Sequence, residues 1–310
     1  MYTNYNNYLS SGYKSTGKDP YESLNQQYTI NSDNLNKRFV TSKVPVSFNR
    51  QPDISKLYYN NNNITQEFIN KYWDFIHIIG RTYDKRDNDT LKAIKCLFFS
   101  LADILPDENF RIILTKFINF DVSVLETLLK STETMYFLQA NPDINAQLKN
   151  NQRGFFNYCT ENSDRLFAWT YLLHIYYNVL MGISSFTFNT LNEMFNKRNL
   201  PKNRWGNSFW FIIHHTAIYA PEVLPDNWKL SYKSFISGLQ WTIPCGECRA
   251  HIKDNLSDLE TKNVSIDKYL STNLKIFEFS VILHNSVNVM LDKPQITLRE
   301  ALNIYRPEYK

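Results

Sequence analysis

The sequence predicts an all-α protein, and three observations carry that prediction. From about residue 64 onward apolar residues recur at helical spacing. Strand-like alternation is scarce throughout. Two stretches of the chain also repeat the same ordered set of helix-borne residues: a Trp-x-x-x-His pair, a proline-led turn, and a His-x-x-x-Asn pair.

In chain order, Phe68, Tyr72, Phe75, Ile76 and Ile79 mark a first helix. Leu91, Ile94, Leu97, Phe98 and Leu101 mark a second, with Lys95 its polar exception. Residues 110–118 and 122–130 read as two more helices, and a polar stretch holding Pro142 and Gly154 interrupts them. Arg165 to Leu180 resumes a long helical pattern. Residues 184–203 hold a short helix and then Asn199-Leu-Pro-Lys-Asn, where Pro201 marks a boundary. Helices are expected over 207–219, 229–241, 246–256 and 266–291. Residues 1–60 are rich in Asn, Ser, Tyr and Lys and poor in aliphatic residues, so a mobile or loosely docked arm is expected there. The organisation read from this pattern is a polar arm (1–60), a helical domain (61–198) and a second helical domain (199–310).

Hydrophobic residues make up 43% of the 310 and aromatics 15%, enough for a sizeable core. The net charge of +4 is weak for this length and argues against a nucleic-acid partner. The N-terminus lacks the basic and apolar regions of a secretory signal, and no run approaches the ~20 apolar residues of a membrane span. A non-secreted, intracellular protein without membrane insertion is expected. Four cysteines are too few for a disulfide-built scaffold. Cys96 and Cys159 sit in apolar surroundings and read as buried, inert thiols.

The internal repeat lays Trp73 to His77 on Trp210 to His214, Pro106 to Arg111 on Pro244 to Arg249, and Phe167 to Met181 on Phe277 to Leu291. Trp to Pro is 33 residues in the first half and 34 in the second. Arg to His is 63 and 35, so the first half carries extra residues, which the polar stretch near 135–157 accommodates. Asp107 and Phe110 stand where the second half has Cys245 and Cys248, and Phe68-Ile69 stands for Trp205-Gly206. The first half has lost the dithiol and reads as structural.

The chemistry concentrates in Pro244-Cys245-Gly-Glu-Cys248-Arg-Ala-His251. At a helix start, backbone N–H groups favour a thiolate, and two intervening residues let the sulfurs approach disulfide distance. The same spacing serves structural zinc, for which Cys245, Cys248, His251 and His284 offer four ligands. A zinc-stabilised helical interaction module is therefore the alternative reading. Trp205 and Trp210 can wall a flat ring system, and Gly206 permits close backbone approach. His214 follows Trp210 by one helical turn, and His284 and Asn288 share a face, with Asn285 and Lys293 beside them. Such groups suit a nucleotide cofactor. His215 points away from His214 and reads as structural.

These motifs together resemble the Erv/ALR family of FAD-dependent sulfhydryl oxidases. Its pattern runs W-G-x-x-x-W-x-x-x-H, C-x-x-C-R-x-H and H-N-x-V-N-x-x-L-x-K-P, found here from Trp205 to His214, Cys245 to His251 and His284 to Pro294. The resemblance covers residues 204–294. With a degenerate unit ahead of it, the chain is most similar to the baculovirus-type viral sulfhydryl oxidases. The resemblance implies a helical bundle around FAD, Cys245 and Cys248 as the catalytic pair, and Arg204, Tyr219, His251 and Val287 as further cofactor contacts, beside Trp205, Gly206, Trp210, His214, Cys248, His284, Asn285, Asn288 and Lys293. It also implies thiol-containing protein substrates, O2 as acceptor with H2O2 as product, a homodimer, and a place in the infected host cell and virion. The chain departs from the family in three ways. Phe279 replaces a common Trp, no cysteine follows Pro294, and the arm has no second C-x-x-C.

Overall fold

Helix-period patterning dominates, and in this computed structural model it yields fourteen α-helices and no strand among the described residues (62–84, 87–120, 122–150, 152–196, 200 and 202–306). The expected arm at 1–60 lies outside them. The first half is built from α1 (Asn62–Thr82), α2 (Asn88–Ile104), α3 (Glu108–Asn119), α4 (Val122–Leu128), α5 (Thr132–Ala140), α6 (Pro142–Asn150), α7 (Phe155–Cys159), α8 (Ser163–Met181) and α9 (Phe188–Met194). The second half is α10 (Lys202–Ile218), α11 (Asp226–Thr242), α12 (Gly246–Thr261), α13 (Asn273–Met290) and α14 (Leu298–Tyr305).

Three expectations need correction. The stretch near 135–157, read as a polar interruption between helices, is itself helical. It forms α5, α6 and α7, whose Phe137, Leu148, Phe155 and Phe156 are buried in the common core. The single helix expected over 266–291 is broken. A short 3-10 turn, Ile266–Tyr269, precedes α13, and Ser265 and Thr272 each cap a new start with a side-chain oxygen. A last helix, α14, went unpredicted. Its start is a capping box in which Thr297 and Glu300 bond each other's backbone N–H groups, a pattern readable as T-x-x-E.

The two halves repeat each other at the level of individual bonds. Asp107 caps α3 through the Phe110 N–H, and Cys245 caps α12 through the Cys248 N–H. Leu105 and Ile243, which end α2 and α11, share the same extended backbone (φ −60°, ψ 134° and φ −59°, ψ 134°). At the ends of α8 and α13, Gly182 and Asp292 are both left-handed. The following N–H groups, of Ile183 and Lys293, donate to Asn178 and Asn288 carbonyls at 2.9 and 2.8 Å. Thr187 and Thr297 then cap α9 and α14. The repeat thus extends one helix beyond the blocks visible in the sequence.

The halves pack on one another through α1 against α10 and, more extensively, α2 against α11. Phe75 meets Phe209 at 4.7 Å between centroids, the Tyr72 hydroxyl pairs with His215 Nδ1 at 3.0 Å, and Arg204 ion-pairs with Asp74 at 2.7 Å. One continuous buried cluster spans both halves. His215 is buried in that junction, in keeping with its structural reading. Cys96 and Cys159 are buried and outside any disulfide, and burial pushes the Cys159 thiol up. No helix among the described residues is long and apolar enough to cross a membrane.

Candidate functional site

Cys245 and Cys248 are joined in a disulfide, with Cα atoms 5.1 Å apart. The turn before them is held by Arg249, whose guanidinium donates to the Ile243 carbonyl at 2.7 Å and the Pro244 carbonyl at 3.5 Å. The Cys248 N–H donates to the Cys245 sulfur at 3.2 Å, so the first turn of α12 already directs a backbone donor at that atom. Both cysteines are half-buried, whereas Gly246 and Glu247 between them are exposed. A reactant can reach the disulfide from that side.

The aromatic and histidine residues converge from α10 and α13. The Trp210 and His284 rings stack at 3.9 Å and 9°. His214 Nε2 meets His284 Nδ1 at 2.9 Å, and His214 Nδ1 meets the Ser280 hydroxyl at 2.8 Å. Burial holds His214 well below its ordinary value and, with the Lys293 charge, lowers His284 to about 4, so both rings are neutral at pH 7. Tyr305 of α14 closes the far side, 4.7 Å from His214.

The first half contains the same constellation. Trp73 stacks on His174 at 3.8 Å and 5°, His77 Nε2 meets His174 Nδ1 at 2.8 Å, and His77 Nδ1 meets Thr170 Oγ1 at 3.0 Å. Phe195 takes the place of Tyr305, 5.1 Å from His77. What differs is the space around the stack. Phe110 and Tyr177 lie 4.9 and 5.4 Å from Trp73, and Trp73 is only 5% exposed. The matching positions in the second half are Cys248 and Val287, and Trp210 is half-buried. Ile69 is buried where the second half has Gly206, and a Cβ at Gly206 would meet nothing within 4 Å. At His251, Asn285 and Lys293 the first half has Ile113, Ile175 and Ile183. The second half is therefore the more open and the more polar around its stack, while Phe110, Tyr177 and Ile69 occupy the matching places in the first.

Not every sequence candidate joins this cluster. Trp205 packs edge-on against Phe209 at 6.1 Å. Arg204 is committed to Asp74 and the Met194 carbonyl. Tyr219 lines a small cleft with Phe68, Tyr72, Asp107 and His215. The Asn285 side chain binds the Ile296 backbone twice, at 2.8 and 2.9 Å, and so ties down the loop into α14. Asn288 is buried beside the loop that carries Lys293. His251 is half-buried one turn beyond Cys248. The zinc alternative is not favoured. His284 is taken up by Trp210 and His214, the two sulfurs are bonded to each other, and no metal-holding group of three His, Cys, Asp or Glu exists among the described residues. Ser280 and Tyr305 were missed. Ser280 lies one turn before His284, but a serine in an apolar helix carries no distinctive signal.

The sequence profile of the Erv1 / Alr family matches residues 207–306. Protein 096R of Invertebrate iridescent virus 3 and protein 088R of Frog virus 3, both named as candidate FAD-linked sulfhydryl oxidases, are 29% and 33% identical over 102 and 104 residues. Each alignment covers 33% of this chain, and 66% and 65% of the relatives, so the chain spans about two thirds of their length. The FAD-linked sulfhydryl oxidase of African swine fever virus is 32% identical over 108 residues, 33% of this chain and 79% of that protein. No solved structure gives a significant match.

Proposed function

The chain belongs to the Erv1 / Alr family, and from that premise we propose that it is an FAD-linked sulfhydryl oxidase that forms disulfides in thiol-containing proteins, with O2 as the acceptor and H2O2 as product. One observation carries this reading: the helix-capping Cys245–Cys248 disulfide belongs to the half whose Trp210–His214–His284 stack is left open, while the matching stack of the other half is plugged. On this reading Trp210, His214, His284 and Asn288 hold the cofactor, with Trp205, Gly206, His251, Val287 and Lys293 around them. Asn285 supports that site through the loop into α14, whereas Arg204 and Tyr219 act at the junction of the halves.

A substrate thiolate attacks the Cys245 sulfur, forming a mixed disulfide and releasing the Cys248 thiolate. The second substrate thiol, deprotonated, attacks the substrate sulfur of that mixed disulfide and releases the Cys245 thiolate. The substrate leaves oxidised, and its two electrons remain on the cysteine pair. The N–H groups of the first turn of α12 stabilise the released thiolates. FAD, when bound, supplies the two-electron acceptor for this dithiol and the route onward to O2. Arg249 keeps Cys245 at the helix start throughout.

The same reading makes the first half a decayed copy of the second, structural and without cofactor. Homodimerisation belongs to it too, supported by the exposed apolar residues Val289, Met290, Leu291 and Ile304. The viral source of the relatives supports a place in an infected cell or virion. The test is dithiothreitol-dependent oxygen consumption by the purified yellow protein and by Cys248→Ala. The variant should keep its flavin and lose essentially all activity. A colourless protein carrying zinc, or a Cys248→Ala variant still faster than free flavin, would overturn the assignment.

A further inference from the structure

The hydrogen-bond chain behind Trp210 has a fixed direction, and its origin is Ser280. The Ser280 hydroxyl lies 2.6 Å from the Phe277 carbonyl oxygen. Two oxygens that close need the hydroxyl proton between them, so Ser280 donates to Phe277. Having one proton, Ser280 can only accept from His214, 2.8 Å away, so His214 carries its proton on Nδ1. His214 is neutral in its buried position, and its Nε2 is therefore a bare acceptor. That atom must receive the Nδ1 proton of His284 at 2.9 Å. His284 is also neutral, so its own Nε2 is left as a lone pair. It makes no hydrogen bond to any described residue.

The first half repeats the same hydrogen-bond chain with other atoms. Thr170 donates to the Phe167 carbonyl at 2.7 Å, His77 Nδ1 meets Thr170 at 3.0 Å, and His77 Nε2 meets His174 Nδ1 at 2.8 Å. A hydroxyl one turn before the second histidine is thus kept in both halves, as Ser in one and Thr in the other.

We propose that Ser280 is a positioning residue that fixes the tautomers of His214 and His284, so that His284 presents Nε2 to the cofactor strictly as an acceptor and selects an N–H or O–H donor of the nucleotide there. This rests on the FAD reading above. With Ser280 replaced by Ala, nothing requires the proton on His214 Nδ1. It can move to Nε2, the His284 tautomer inverts, and His284 then turns a donor toward a donor. A mismatched polar contact of that kind lowers affinity by about tenfold or more.

The experiment reads the tautomers directly, by long-range proton–nitrogen correlation spectra of histidine-labelled protein stripped of flavin. FAD affinity is then titrated for wild type, Ser280→Ala and Ser280→Thr. Wild type and Ser280→Thr should show both rings protonated on Nδ1 and bind FAD alike. Ser280→Ala should show inversion at His284 and weaker FAD binding, with its circular dichroism unchanged. Analogues with hypoxanthine in place of adenine, or lacking a ribose hydroxyl, identify which donor meets Nε2; the responsible one should lose affinity in wild type but little in Ser280→Ala. A wild-type His284 protonated on Nε2, or a Ser280→Ala variant that binds FAD like wild type, would overturn the proposal. Failure of wild type to bind FAD at all would refute the functional reading instead, while the spectra would still decide the tautomers.

Discussion

Lowering the pH from 7 to 5 should unfold this protein at far lower denaturant concentration, and four deeply buried histidines set most of the effect. His77, His174, His214 and His215 are held low by burial, His174 and His215 to about 3. In the unfolded chain each returns to its ordinary value near 6.5. Between the folded and unfolded values the unfolded state binds the extra proton, so stability rises with pH in that window. The contribution is fully present above about pH 6.5 and is lost as the pH falls toward the folded values. Each ring gives up about 2 kcal/mol between pH 7 and 5, and the four together roughly 8 kcal/mol. That sum is comparable with the whole stability of a typical domain, about 5–15 kcal/mol. Local opening, which can charge one ring without global unfolding, lowers that sum, and His284, held by burial to about 4, adds to it. Asp107, raised by burial, works in the opposite sense and offsets a part. The assay is urea unfolding of the flavin-free protein across this pH range, followed by tryptophan fluorescence. His77→Gln should flatten the slope by about one proton's worth, near 1.4 kcal/mol per pH unit. An unfolding free energy at pH 5 within about 1 kcal/mol of that at pH 7 would show that these rings can be charged in place, and would refute the expected pH dependence.

Two further outcomes follow from the packing of the halves. Flavin should be released on denaturation at one per chain, and a ratio near two would mean that Phe110, Tyr177 and Ile69 do not plug the first half. Ile76→Asp should destabilise the fold by about 3 kcal/mol or more and release flavin, because Ile76 is 1% exposed and the new carboxylate has no partner; a wild-type melting temperature with full flavin content would reject that.

Much of this architecture was legible because both halves write their helices in the same code. The Trp and His of α1 and α10 fall one turn apart, and so do the His and Asn of α8 and α13. Periodicity alone placed them on shared faces. The dithiol was legible for the same reason, since Pro244 and the two-residue spacing announce a helix start. What escaped the sequence was local chemistry with weak signals. The 3-10 turn before α13 depends on two serine or threonine caps seven residues apart, Ser265 and Thr272, inside an otherwise helical pattern. The helices α5 to α7 are short, and α6 carries Pro142 and a polar outer side, so the stretch reads as an interruption although Phe137, Leu148 and Phe155 anchor it. The commitment of Asn285 to Ile296 could not be read at all. An Asn beside a His suits a ligand as well as it suits a loop, and only the loop's return path decides between them.

The residues that survived in the first half and those that did not fall into two physical classes. His77, Thr170 and His174 are linked by hydrogen bonds inside the core, and deleting any one would orphan a buried polar partner at a cost of about 1–3 kcal/mol. Trp73 fills the volume against which those rings stack, and its loss would open a cavity. These groups hold the helices together whether or not a cofactor is present. Most of the positions that changed are ones that, on the proposed function, face a ligand: the two cysteines, Gly206, His251, Val287 and Lys293 in the second half. Asn285, bound to the Ile296 backbone and matched by Ile175, is the exception. On the reading that the first half is a decayed copy, nothing internal opposed replacement of the others. Of the side chains at the same places, Ile69, Phe110, Ile113 and Tyr177 are buried and add about 1.5–3 kcal/mol each, whereas Asp107 caps α3 and Ile183 stays exposed. Decay of the chemistry and retention of the histidine chain are then the same event, in which contacts within the fold persisted and contacts with ligands were exchanged for packing.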